Sequence, residues 1–140
     1  METSELQRRQ LIEHLLTQHA QMNAADAVSL WEPMAAQIVG IVGEGGFNSL
    51  YARSLFLSQN MFPWLAACAL SAHEAPRFVL LQTCFESQTS AQIRAANAHL
   101  LITFTNTMAG LIGDQLTTRI LRSAWNNTVP DSINQEFKDE

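Results

Sequence analysis

Histidine is the side chain best suited to proton transfer or metal ligation near neutral pH, and this chain has four: His14, His19, His73 and His99. Their spacing argues against most such uses. His14 and His19 are five apart, which puts them on different faces of a helix, so the i, i+4 pair of a helical metal site is absent. His73 stands before Glu74 at a helix junction, where capping or solvent contact is its simplest role. His99, in Ala98-His99-Leu100, falls on the more polar side of a helical pattern and is expected to be exposed. A phosphoacceptor role is conceivable for His99 or His14, but neither has a lysine and a glycine close by.

Other nucleophiles are scarce. No serine sits in a nucleophile-elbow pattern, and there is no Cys-x-x-Cys or glycine-rich phosphate cradle after a strand. Cys68 and Cys84 lie in apolar helical contexts and read as reduced core residues of a cytosolic protein, with a disulfide as the alternative. Lysine occurs once, at Lys138, which removes Schiff-base chemistry, P-loop lysines and polybasic patches. With a net charge of −5, nucleic-acid binding by phosphate neutralisation is not expected either. Histidine, methionine and phenylalanine could hold a haem, but they are also what a plain core contains. No cofactor and no metal is expected. Phe56, Phe62, Trp64, Phe78 and Phe85 form the candidate lining of a small apolar ligand site, with ordinary core packing as the competing reading.

The elements that must position these residues are helical. The longest is the run from Ser90 to Trp125, where Ile93, Leu100, Leu101, Phe104, Met108, Leu111, Ile112, Leu116 and Ile120 recur at helical spacing behind a Thr89-x-x-Gln92 capping box. Upstream, a first helix spans Ser4 to about Met22. A second starts near Ser29, holds Pro33 in its first turn and stops at Gly45-Gly46. A third begins at Asn48 or Ser49 and ends near Asn60. A short, apolar fourth runs from about Met61 to His73, and a fifth opens at Pro76. No stretch alternates as a strand would. The expectation is an all-α fold of about six helices in a compact bundle around the helix at about 90–125. Residues 1–126 make a single helical domain and 127–140 a polar, mobile tail, although Val129, Ile133 and Phe137 could form a docking stripe. The core should include Trp31, Trp64, Phe78, Phe104, Met108 and Ile112.

Charge is unusually low, at 15% of residues against about 25% in a typical soluble domain. Between Asn23 and Trp125 there are six acids and five arginines in 103 residues. Such a surface is either solvated by Gln, Ser, Thr and Asn or covered by a partner, and a partner is the reading adopted.

Gly40-Ile41-Val42-Gly43-Glu44 and Gly110-Leu111-Ile112-Gly113-Asp114 resemble each other, and each is followed by an Arg-Ser pair. An internal repeat and coincidence are both open, the motif being short. The glycines fall away from the main apolar stripe, so Gly40, Gly43 and Gly110, with Thr103 and Thr117, are the candidate contact face within the chain or between chains. Glu44 with Arg53, and Asp114 with Arg119 or Arg122, are expected ion pairs. The polar first ten residues do not read as a secretory signal, and the longest apolar run, Met61 to Leu70, is about half a membrane span. The sequence therefore points to a cytoplasmic, non-catalytic regulatory or adaptor module acting as a homodimer, with a regulatory protein as a further partner and no membrane. A sensor for a small apolar ligand is the second reading, and histidine phosphotransfer or another enzyme the third.

Overall fold

The computed structural model describes residues 4–18, 21–66 and 78–125. They form α1 (Ser4–Thr17), α2 (Ala24–Ser58), a single 3-10 turn (Pro63–Leu65), α3 (Val79–Glu86), α4 (Ser90–Ile112) and α5 (Asp114–Ala124). The fold is all-α, with five α-helices and no strand among the described residues, where the sequence suggested about six helices. The fourth expected helix is represented by the 3-10 turn, the rest of it lying outside the described residues, as do His19, His73 and the whole of 127–140.

Two differences have one physical cause. The expected second and third helices are continuous as α2, interrupted only at Gly43, while the expected last helix is divided into α4 and α5 at Gly113. Gly43 has φ 84° and ψ 167°, and Gly113 has φ 96° and ψ 155°. That region of backbone space is essentially closed to residues with a Cβ. Each break is a single residue. The hydrogen bond from Gly113 N–H to the Ala109 carbonyl (2.9 Å) completes α4, and the Gly113 carbonyl already accepts from Thr117 N–H (3.2 Å) in α5. An acid follows each break, Glu44 or Asp114, where the helix dipole presents its positive end and a carboxylate stabilises it.

The breaks are reversals. Along a straight helix Trp31 and Tyr51 would lie about 30 Å apart at 1.5 Å per residue. Their ring centroids are 5.5 Å apart, so the second leg of α2 folds back on the first. The second reversal follows from three contacts. Trp125 Nε1–H donates to the Leu30 carbonyl at 2.7 Å, while the neighbouring Trp31 meets Asn97 and Phe104 on α4. Phe104 and Trp125 therefore share a level that a straight helix would separate by about 32 Å.

α2 begins earlier than the expected start near Ser29. Asn23 is the cap: Asp26 N–H donates to Asn23 Oδ1 at 2.8 Å, and Asn23 N–H to Asp26 Oδ2 at 3.2 Å. Pro33 consequently sits inside the helix, where it removes the hydrogen bond that the Ser29 carbonyl would accept. The capping box at Thr89 and Gln92 is present, with both bonds at 3.1 Å. Trp31, Phe47, Tyr51, Phe78 and Phe104 form one aromatic centre, with linked ring centroids 5.2 to 6.3 Å apart. Each well-set ring pair adds about 0.5–1.5 kcal/mol beyond its buried area. At its edge Trp31 Nε1–H donates to Asn97 Oδ1 (2.8 Å), and Asn97 Nδ2–H reaches the Ala27 carbonyl (3.4 Å), so these buried polar groups are paired. Of the expected core, Trp31, Phe78, Phe104 and Met108 are buried, whereas Trp64 and Ile112 are half-buried.

Candidate functional site

The two reversals lie toward the same end of the molecule. Asn97 touches Ala27, and Trp31, one turn beyond Ala27, touches Phe104, two turns beyond Asn97, so the two first legs climb in the same direction. Gly43 is 16 residues beyond Ala27, and Gly113 is 16 beyond Asn97. At that end Ile41 is 48% exposed and Leu111 65%, the same place in both motifs. A Cβ added to Gly40, Gly43, Gly45, Gly110 or Gly113 would meet nothing within 4 Å. These glycines are therefore not seats for close packing among the described residues. Gly46 differs, since its Cβ would come to 3.0 Å from the Val42 side chain.

The remaining candidate contact residues stand apart from this surface. Thr103 is half-buried, its hydroxyl 3.5 Å from His99 Nδ1. Thr117 is buried, its hydroxyl donating to the Gly113 carbonyl at 2.8 Å. Both hydroxyls serve the chain's own structure.

Asp114 pairs with neither arginine that follows it. Arg8 of α1, only 2% exposed, reaches it with Nη1 at 2.9 Å. Arg8 Nη2 donates to Asn106 Oδ1 (3.4 Å), and Asn106 Nδ2 to Glu5 Oε2 (3.3 Å). This network pins α1 across the second reversal. Sequence spacing could not reveal it, because Arg8 and Asp114 are 106 residues apart.

The five aromatic ligand candidates divide among three places. Phe78 belongs to the buried centre around Trp31. Phe62, Trp64 and Phe85 form a chain of edge contacts at 6.1 and 5.8 Å. Phe56 is 66% exposed and is not part of either ring cluster. Phe78 also borders an open groove of about 420 Å³ between α2 and α3, with Val28, Ala35, Ala36, Val79, Glu32 and Gln82.

His99 is half-buried, where sequence placed it in solvent. Its Nδ1 is 2.9 Å from Ser58 Oγ and its ring centroid 5.9 Å from that of Phe62. A serine hydroxyl on an imidazole is the pairing a nucleophile needs, but Ser58 is 0% exposed, so its oxygen has no approach for a substrate. Burial of the ring, with the like charge of Arg9 adding to it, lowers the His99 pKa below the ordinary 6.5. His14 Nε2 lies 3.3 Å from Gln18 Nε2 of its own helix. Among the described residues no three His, Cys, Asp or Glu side chains converge as a metal site would require.

Cys84 is disulfide-bonded, which overturns the reduced reading; Cys68, the only other cysteine in the sequence, lies outside the described residues. No helix among the described residues is long and apolar enough to cross a membrane. No family model, curated protein or solved structure matches this chain.

Proposed function

We propose that the protein is a non-catalytic helical module acting through protein–protein contacts, with a second copy of itself as the first partner. The observation that carries this is the end with both reversals, where Ile41 and Leu111 face outward among glycines whose Cβ directions are open. Two exposed aliphatic side chains on a small-residue background let another backbone approach closely. A regulatory or adaptor role follows from a surface that binds without chemistry.

We also infer an internal repeat. The spacing between the motifs is 110 − 40 = 70 and 113 − 43 = 70 residues, and 70 is the register on both sides of the breaks. Leu30 and Leu100, Met34 and Phe104, Ile38 and Met108, Phe47 and Thr117, and Tyr51 and Leu121 are then matched buried positions. In that register the two Arg-Ser pairs fall one residue out of step and drop from the argument. Two alike halves packed as one bundle present two alike tips side by side, a surface suited to a twofold partner.

Sedimentation at tens of micromolar tests the reading. The expected result is a dimer whose interface exceeds about 1,000 Å² in total. Gly110→Arg and Leu111→Arg should each give a folded monomer, since both positions open to solvent. A wild-type monomer, or a dimer indifferent to both substitutions, refutes the proposal.

The groove bounded by Val28, Ala35, Ala36, Phe78 and Val79 favours the second reading, a sensor for a small apolar ligand. A rise in melting temperature with an apolar ligand, lost in Ala36→Trp at the exposed rim of the groove, would support it over self-association. The place of action turns on the cysteines, since a lasting disulfide suits an oxidising compartment better than the cytoplasm.

A further inference from the structure

Ser58, the last residue of α2, is a junction. Its carbonyl accepts from Met61 N–H at 3.1 Å and Phe62 N–H at 2.9 Å, which shapes the turn after the helix. Its hydroxyl, fully buried, meets His99 Nδ1 on α4. Phe62 packs its ring on His99 and touches Trp64, which in turn touches Phe85 of α3. One imidazole therefore stands beneath the turn by which the chain leaves α2.

We propose that His99 is a pH-responsive latch, whose neutral ring holds residues 58–65 against α4 and whose protonation loosens them. In the neutral ring with hydrogen on Nε2, the Ser58 hydroxyl donates to Nδ1. Protonation puts a hydrogen on Nδ1 and forces the buried hydroxyl to turn and accept instead. It also places a cation in a half-buried site. Among the described residues, the neighbours from α2, the turn and α4, namely Ser58, Phe62 and Thr103, carry no charge, and the charged group acting on the ring is Arg9 of α1, of the same sign.

The direction follows by linkage. The folded value lies below the unfolded value of 6.5, so the folded state binds the proton less readily. The stabilisation is complete above pH 6.5 and is lost as pH falls through 6.5 toward the lower folded value. The latch is closed at neutral pH and opens in mild acid.

The test uses the whole chain. Proton NMR of the His99 ring should give a titration point below 6.5. Hydrogen exchange of the peptide covering 58–65, corrected for intrinsic rates, should lose protection between about pH 7.5 and about pH 5 by roughly threefold or more, while α2 residues near Trp31 keep theirs. His99→Gln, which cannot titrate, should abolish that pH dependence. Arg9→Gln, on an exposed position that leaves the fold intact, should raise the titration point and the midpoint of protection loss together. A titration point at or above 6.5, unchanged protection across the range, the same loss in His99→Gln, or midpoints that separate in Arg9→Gln would each overturn the latch.

Discussion

The two reversals make a prediction in which the same substitution changes sign within four residues. Gly40 and Gly110 are helical glycines, and an added Cβ would meet nothing within 4 Å. Alanine there removes backbone entropy from the unfolded chain and improves helix propensity, so Gly40→Ala and Gly110→Ala should each stabilise by about 0.5–1 kcal/mol. Gly43 and Gly113 also face open space, so no clash with a neighbour enters. Their cost is in the backbone alone. Holding an L-residue at φ 84° or 96° with an extended ψ costs of the order of 1–3 kcal/mol, offset by up to about 1 kcal/mol from the unfolded chain. Gly43→Ala and Gly113→Ala should therefore destabilise by about 1–2 kcal/mol. Urea titration at one fixed protein concentration, with the slope unchanged, measures all four. A Gly43→Ala protein as stable as the wild type would mean that α2 does not reverse there, and the account of both breaks would fail with it.

Two further perturbations test the rest of the architecture. Asp114→Asn removes the charge opposite the buried Arg8 guanidinium and leaves only neutral acceptors on it, and should cost about 1–2 kcal/mol, less than a fully buried pair because Asp114 is 58% exposed. Arg8→Met removes charge and desolvation together, so it should cost less than Asp114→Asn. The opposite order in thermal melts would show that the pair itself, rather than the stranded cation, sets the energy. The unreduced chain should weigh two hydrogens less than the reduced chain by intact mass spectrometry. Reduction should lower stability by about 2–4 kcal/mol. Equal masses would refute the disulfide at Cys84.

What was legible in the sequence was periodic. The capping box at Thr89, the apolar stripe after it and the absence of strands depend on neighbours within a turn, and the structure has them. The glycine motifs were visible too, and so was their placement off the main stripe. Their conformation was not. A left-handed φ at one residue needs a reason from the far side of the turn, here the contact of Tyr51 with Trp31 and of Trp125 with Leu30. Glycine pairs usually end helices, which is why Gly45-Gly46 drew the boundary that belongs to Gly43. His99 was misplaced for a similar reason. Its helix presents it on a polar face, and the end of α2 with the turn after it, about 40 residues earlier in sequence, covers that face. The Arg8 network is a long-range pairing of a kind that spacing does not encode.

The reversals also alter the weight of the low charge. A straight helix on the outside of a domain buries one stripe and must solvate the rest. A leg of α2 that meets both its own return leg and α4 buries a wider stripe. On α2, Ala27, Val28, Leu30, Trp31, Met34, Ala35 and Ile38 are all buried within twelve residues, an arc of about 160° at 100° per residue. Part of the charge deficit between Asn23 and Trp125 is thus met by burial among the chain's own helices. Among the described residues the exposed large hydrophobic side chains are Leu6, Ile41, Phe56, Met61, Val79 and Leu111, and two of them occupy matching places beside the breaks. The case for association therefore stands on Ile41 and Leu111 rather than on composition, and substitutions there decide it. If Ile41→Ser and Leu111→Ser together leave a dimer with unchanged affinity, the contact lies elsewhere and the tips are only where the helices turn.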